Sequence, residues 1–165
     1  MFGPKKLTKQ RALTAIQSSP KTCLLTKEGK PFDWRERGPR DEVTNTALLD
    51  DVYVVVDGHE IGWMRTARYD YSEKAIVIGH LGITKSYVGA GIGQAVAFAL
   101  RDILMREVKE TRVIFDESHA DEMDLYLKFF KRIGARQTKP DTDPLYWVWD
   151  FPAAAAQVVP SAPTP

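Results

Sequence analysis

The spacing of apolar and polar positions divides the chain into an irregular first third and a regular remainder. Between Thr8 and Ser18, Leu13 and Ile16 fall three apart with Ala12 and Ala15 beside them, which predicts a short amphipathic helix ending before Pro20. From Pro20 to Pro39, Lys, Gly, Pro and Arg interrupt scattered apolar residues, so a loop is expected there, followed by a second short helix from Asp41 to Leu49. The texture changes at Val52-Tyr53-Val54-Val55-Val56, a β-branched run ending at the hairpin dipeptide Asp57-Gly58, after which Glu60 to Tyr69 resumes an extended pattern. A polar, turn-like stretch at 70–74 leads into a third strand from Ala75 to Thr84. Its alternation, Ile76 and Ile78 and then Leu81 and Ile83, slips at Gly79-His80. A slip of one residue moves the apolar set to the other face, and a glycine at that point suits a bulge or kink.

Gly89, Gly91 and Gly93 then open a helix with Ile92, Val96, Leu100, Ile103 and Leu104 on one face, ending near Val108. A fourth strand is predicted over Arg112 to Asp116. Ser118-His119-Ala120-Asp121 has the form of a capping box for a second long helix, whose stripe is Met123, Tyr126, Leu127, Phe130 and Ile133 and whose terminator is Gly134. Leu145 to Trp149 supplies an aromatic closing strand. The order is hairpin, strand, helix, strand, helix, strand, so an α/β (α+β) domain is expected over residues 1–151. Residues 1–50 hold its N-terminal helices and loop, and 51–151 its core. Residues 152–165 are a low-complexity Ala/Pro-rich tail.

Composition narrows the function classes. A chain of 165 residues, 44% hydrophobic, matches one ordinary domain with a sizeable core. Twenty-three Lys and Arg against 22 Asp and Glu leave a net charge of +1, too balanced to point to nucleic acid. Cys23 is the single cysteine, so neither an internal disulfide nor a thiolate metal cage is available, and no metal is expected. The basic N-terminus leads into no apolar signal region, and no segment reaches the roughly 18 apolar residues of a membrane span. A soluble, cytoplasmic protein is expected.

The candidate chemistry lies at the glycines. A strand running through several glycines into a helix makes a phosphate cradle, because backbone N–H groups can approach an anion and the helix dipole favours it. The spacing is neither that of a dinucleotide fingerprint nor that of a P-loop, and a tight turn without a ligand is the alternative. With Asp57-Gly58 and Ile61-Gly62 on the hairpin, the run His80 to Gly93 resembles the main acyl-CoA motif of the GNAT (GCN5-related N-acetyltransferase) superfamily. Phe129-Phe130-Lys131-Arg132-Ile133-Gly134-Ala135 is similar to that family's second helix, and the resemblance spans about residues 51 to 150.

That resemblance implies a mixed, mostly antiparallel central sheet flanked by helices, with a splayed central strand. Leu81, Gly82 and Ile83 would face the pantetheine arm of acetyl-CoA, and Val88, Gly89, Ala90, Gly91, Ile92 and Gly93 would cradle its diphosphate. It implies attack of an amine, on a small molecule or a protein, upon the thioester, helped by a backbone N–H at the developing oxyanion. His80 is then the candidate base and Tyr126 the candidate proton donor, against the plainer readings of a hydrogen-bonded histidine and a core tyrosine. His59, in the hairpin turn, reads as solvent-exposed, and His119, at the cap of the second helix, as a loop residue. Three positions depart from the family pattern: Val88 stands where Arg or Gln is usual, Met123 where Asn is usual, and Phe130 where Tyr is usual. The alternative function is therefore a GNAT-like structural or interaction protein without chemistry, such as an internal virion protein of a short-tailed phage. The cluster Lys27, Lys30, Arg35, Arg37 and Arg40 reads as solvated surface or as one wall of a substrate cleft. Tyr146, Trp147, Trp149 and Phe151 could bury against the protein's own helix or against another copy, which leaves a homo-oligomer or larger assembly open.

Overall fold

The computed structural model describes residues 6–34, 39–65, 67–117 and 123–151. The capping box at Ser118 to Asp121, Arg35 and Arg37, and the tail at 152–165 lie outside the described residues. The first helix, α1 (Lys9–Ser18), begins at Thr8, whose side chain accepts a hydrogen bond from the Arg11 N–H, and it buries Ala12, Ala15 and Ile16. The stretch expected as loop carries a four-residue helix α2 (Pro20–Cys23) and a two-residue strand β1 (Leu24–Leu25).

The helix expected over Asp41 to Leu49 does not form. Asp41 Oδ1 accepts from the N–H groups of Val43 and Thr44, and the Asp41 and Thr46 backbones bond each other. The chain turns back through Asn45 at φ 59° into a short strand, β2 (Thr46–Leu48). A side chain that caps the first N–H groups of a helix serves equally well to close a tight turn, and here the turn prevails.

β3 (Val52–Val56) and β4 (His59–Arg65) form the expected hairpin, with Asp57 and Gly58 at φ 49° and 80°. The extended run predicted to continue to Tyr69 instead divides. β5 (Arg68–Asp70) belongs to a different sheet. The predicted third strand divides too, at Gly79, into β6 (Ala75–Ile78) and β7 (His80–Ile83). Helix α3 (Ile92–Ile103) and its wider last turn, Leu104–Val108, lead to β8 (Arg112–Asp116); α4 (Met123–Ile133), β9 (Arg136–Gln137) and β10 (Tyr146–Asp150) complete the fold.

Among the described residues two sheets result, ordered β1-β3-β4-β7 and β2-β5-β6-β8-β10-β9, and every strand pair is antiparallel except β6 with β8. Gly79 is the joint between them. β6 pairs with β8 from Ile76↔Val113 to Ile78↔Phe115, and then the chain leaves β8 and, among the described residues, β7 pairs with β4 alone. The slip legible in the alternation is thus a strand changing sheets, and it opens a splay between β7 and the end of β8.

Both faces of the six-stranded sheet are buried at its centre, which is why β6, β8 and β10 are nearly continuous apolar runs. On one face Phe115 stacks on Phe130 of α4 at 5.0 Å, and Trp149 lies 6.0 Å from Phe98 of α3. On the other, Ala75, Val77, Ile114 and Val148 form a separate cluster. Trp147, Trp149 and Phe151 are buried within the protein's own core. Ile92, Val96, Leu100, Ile103 and Leu104 are buried as their spacing predicts.

Candidate functional site

The splay leaves one edge of β7 unpaired by strand. Thr84 N–H bonds Ile61 O on β4 at 2.8 Å, so by alternation the backbone groups of Leu81 and Ile83 face the other way, into the gap. Two side chains reach Leu81 there. Glu117, just past β8, accepts from the Leu81 N–H at 3.3 Å, and the Tyr126 hydroxyl of α4 donates to the Leu81 carbonyl at 3.2 Å. The other oxygen of Glu117 meets His80 Nδ1 at 2.9 Å. The Glu117 side chain is only 2% exposed, and Glu117 is the one buried charged residue among the described residues.

Gly82 is the point of closest approach. The Trp63 indole of β4 lies flat over it, so that a Cβ at Gly82 would stand 2.5 Å from the ring. The same indole tilts toward His80, with ring centroids 5.9 Å apart, and carries the Arg65 guanidinium 5.0 Å from its centroid. Trp63 Nε1 is buried and meets no hydrogen-bond acceptor among the described residues.

From β7 the chain passes through a single 3₁₀ turn, Lys85–Tyr87, to the glycine loop. Gly89 at φ 97° and Gly91 at φ 81° occupy the left-handed region that other residues adopt only with strain, and this turns the chain sharply into α3. Among the described residues no side chain caps α3, so its first N–H groups are directed outward with the positive end of the helix dipole behind them. The loop is braced by the N-terminal segment: Lys9 Nζ donates to the Val88 carbonyl at 3.0 Å, and the Tyr87 hydroxyl donates to Leu7 O at 3.2 Å.

Strand edge, glycine loop and α4 together enclose a cleft of about 640 Å³. His80, Leu81, Gly82 and Ile83 line one side of it; Val88, Gly89, Gly91, Ile92 and Gly93 line a second, and Tyr126 and Phe129 a third. Of the positions proposed from sequence, Ala90 does not line the cleft and packs against the core instead. His59 is half-buried at the hairpin, and His119 lies outside the described residues. Lys27 and Lys30 are exposed, and Arg40 bonds Asn45 and stacks on Tyr71, so none of these three lines the cleft. Phe130 is 1% exposed in the aromatic core, and the hydroxyl that reaches β7 comes from Tyr126, one turn earlier.

Glu117, Trp63, Gln94, Lys128 and Arg132 lie at or beside the cleft in addition to the residues expected from the sequence. Lys128 and Arg132 stand one helical turn apart on α4 and bring two cations to the cleft. Their spacing was a readable signal. Glu117 and Trp63 gave none, since a polar residue after a strand and an aromatic within one are ordinary features. Among the described residues no group of three or more His, Cys, Asp or Glu could hold a metal ion, and no helix is long and apolar enough to cross a membrane.

No family model matches the chain, and no curated protein does. Solved structures do resemble its trace. The PaiA N-acetyltransferase of Thermoplasma acidophilum, in complex with coenzyme A, aligns at TM-score 0.49 and 13% identity over 61% of this chain and 60% of its own. A GNAT family N-acetyltransferase (YhbS) of Escherichia coli, in complex with CoA, aligns at 0.46 and 15% over 62% and 59%. A GNAT family acetyltransferase of Elizabethkingia anophelis with acetyl-CoA bound aligns at 0.44 and 11% over 62% and 76%. The chain thus spans about three fifths of the length of the first two.

Proposed function

We propose that the protein is an acetyl-CoA-dependent N-acetyltransferase of the GNAT type, acting on an amine of a small molecule or a protein. The observation that carries this reading is the departure of β7 from β8, which turns the Leu81 and Ile83 backbone into a cleft ending at the uncapped start of α3. Such a cleft suits a long ligand that is peptide-like along one part and anionic at one end. The Ile83 backbone would hold the pantetheine arm, with Leu81 and Gly82 lining it. The amides of Gly89 to Gly93, with Lys128 and Arg132 opposite, would hold the diphosphate in place of the charge that Val88 lacks.

Bound acetyl-CoA would supply an acyl thioester open to nucleophilic attack. For their part, the protein's residues orient and move protons. His80 removes a proton from the incoming ammonium, which alone makes the amine nucleophilic. The Leu81 N–H is taken by Glu117, so the Ile83 N–H facing the splay is the donor for charge developing on an oxygen, and the Tyr126 hydroxyl carries a proton at Leu81.

The test is calorimetric titration with acetyl-CoA of the wild type, of Gly91→Glu and of the pair Lys128→Glu with Arg132→Glu. Circular dichroism checks the fold, since φ at Gly91 is 81°. Micromolar binding by the wild type that both variants abolish supports the site. Absence of binding by the folded wild type overturns the reading and turns the search to an assembly partner.

A further inference from the structure

The geometry points to Glu117 as a positioning residue that fixes the tautomer and orientation of His80. This rests on the acetyltransferase reading for its catalytic meaning, but the contact stands independently. An ionised carboxylate can only accept hydrogen bonds, so with Glu117 as carboxylate the 2.9 Å approach of its Oε1 to His80 Nδ1 places the proton on Nδ1. In the neutral ring the lone pair is then on Nε2. Left to itself in water, an imidazole would distribute its proton between the two nitrogens; here a buried acceptor selects one.

The placement is over-determined. Glu117 Oε2 is held by the Leu81 N–H at 3.3 Å, so the carboxylate bridges two consecutive residues of β7 and cannot rotate without releasing both. Trp63 stands beside the imidazole, with its own position set by its contact with Gly82. The splay itself creates the opening: had β7 continued beside β8, a backbone carbonyl would occupy the place that Glu117 takes. A carboxylate buried to this degree is costly unless paired, and a histidine that becomes positively charged during turnover is the partner that gains most from it.

The proton balance is simple. The N–H bond of the substrate ammonium breaks, its electron pair stays on nitrogen, and the proton joins His80 Nε2. The imidazolium so formed keeps its Nδ1–H on the Glu117 carboxylate. Glu117 thus acts through His80 and touches no substrate atom.

Two readouts separate this role from a structural one. Long-range ¹H–¹⁵N spectra of the protein alone, with His80 assigned by its loss in His80→Gln, report the tautomer. The Nδ1–H form is expected in the wild type, and a shift toward Nε2–H in Glu117→Gln, whose amide can donate to Nδ1 while its carbonyl still accepts from Leu81. A wild-type Nε2–H tautomer overturns the proposal, as does an unchanged tautomer in the variant, and the first result needs no folded variant.

The second readout is CoA release from acetyl-CoA with ethylamine as probe. Glu117→Gln should lower kcat at least about tenfold with His80 present and add no further loss in His80→Ala. An equal loss in both backgrounds means that Glu117 is merely structural. Failure of the acetyltransferase reading is distinguishable, because it abolishes acetyl-CoA binding without altering the tautomer.

Discussion

Replacing Gly82 with Ala tests the geometry of the splayed strand most directly. The added Cβ would lie 2.5 Å from Cε2 and Cζ2 of Trp63 and 2.7 Å from its Nε1. Carbon atoms in contact prefer 3.5–4.0 Å, so the indole has to retreat by about 1 Å or the β4–β7 pair has to part. Overpacking of this size costs about 1–3 kcal/mol. The ring is half-buried and can yield toward the cleft, which places the expected cost near 2 kcal/mol. For a chain of this length that is a fall of roughly 4–8 °C in Tm. Thermal unfolding followed by circular dichroism reads it. The decisive comparison is the same substitution in a Trp63→Ala background. There the steric term is gone, and Ala should be neutral or stabilising by about 0.4–1 kcal/mol through the unfolded state. Equal destabilisation in both backgrounds would refute the idea that the indole is what requires glycine at this position.

Two further predictions bear on the scaffold. Phe130→Ala removes a ring 1% exposed, 5.0 Å from Phe115 and 5.6 Å from Trp147, and should cost about 3–5 kcal/mol in urea unfolding. At the sheet edge, burial pushes the Asp150 carboxyl up, but hydrogen bonds from Arg112 at 2.6 Å and Arg136 at 3.0 Å outweigh it and hold the group below its ordinary value. A depressed carboxyl contributes stability above its unfolded pKa and loses it as pH falls through the folded one, so the loss falls below about pH 3.9. Asp150→Asn should therefore cost about 0.5–1 kcal/mol at neutral pH, as exposed pairs do, and progressively less as the pH falls below about 3.9, as measured by denaturation at each pH.

Local chemistry in the sequence determined the elements whose causes are themselves local. Thr8 starts α1, Asp57-Gly58 turns the hairpin, the β-branched runs make strands, and the apolar spacing from Ile92 to Leu104 sets the buried face of α3. The glycine run also marked the sharp turn into α3, because left-handed φ angles at Gly89 and Gly91 are a property of residues that lack a side chain. Partnership was decided only in three dimensions. Nothing in Ala75 to Thr84 says that its halves join different sheets; that follows from which neighbouring strand each half can reach, and the kink at Gly79 is only its trace. Asp41 suited a helix cap and a turn equally, and the pairing of Thr46 with β5 resolved the choice. The placement of Glu117 and Trp63 has the same origin: each is unremarkable in its own segment, and the splay sets one against His80 and the other against Gly82.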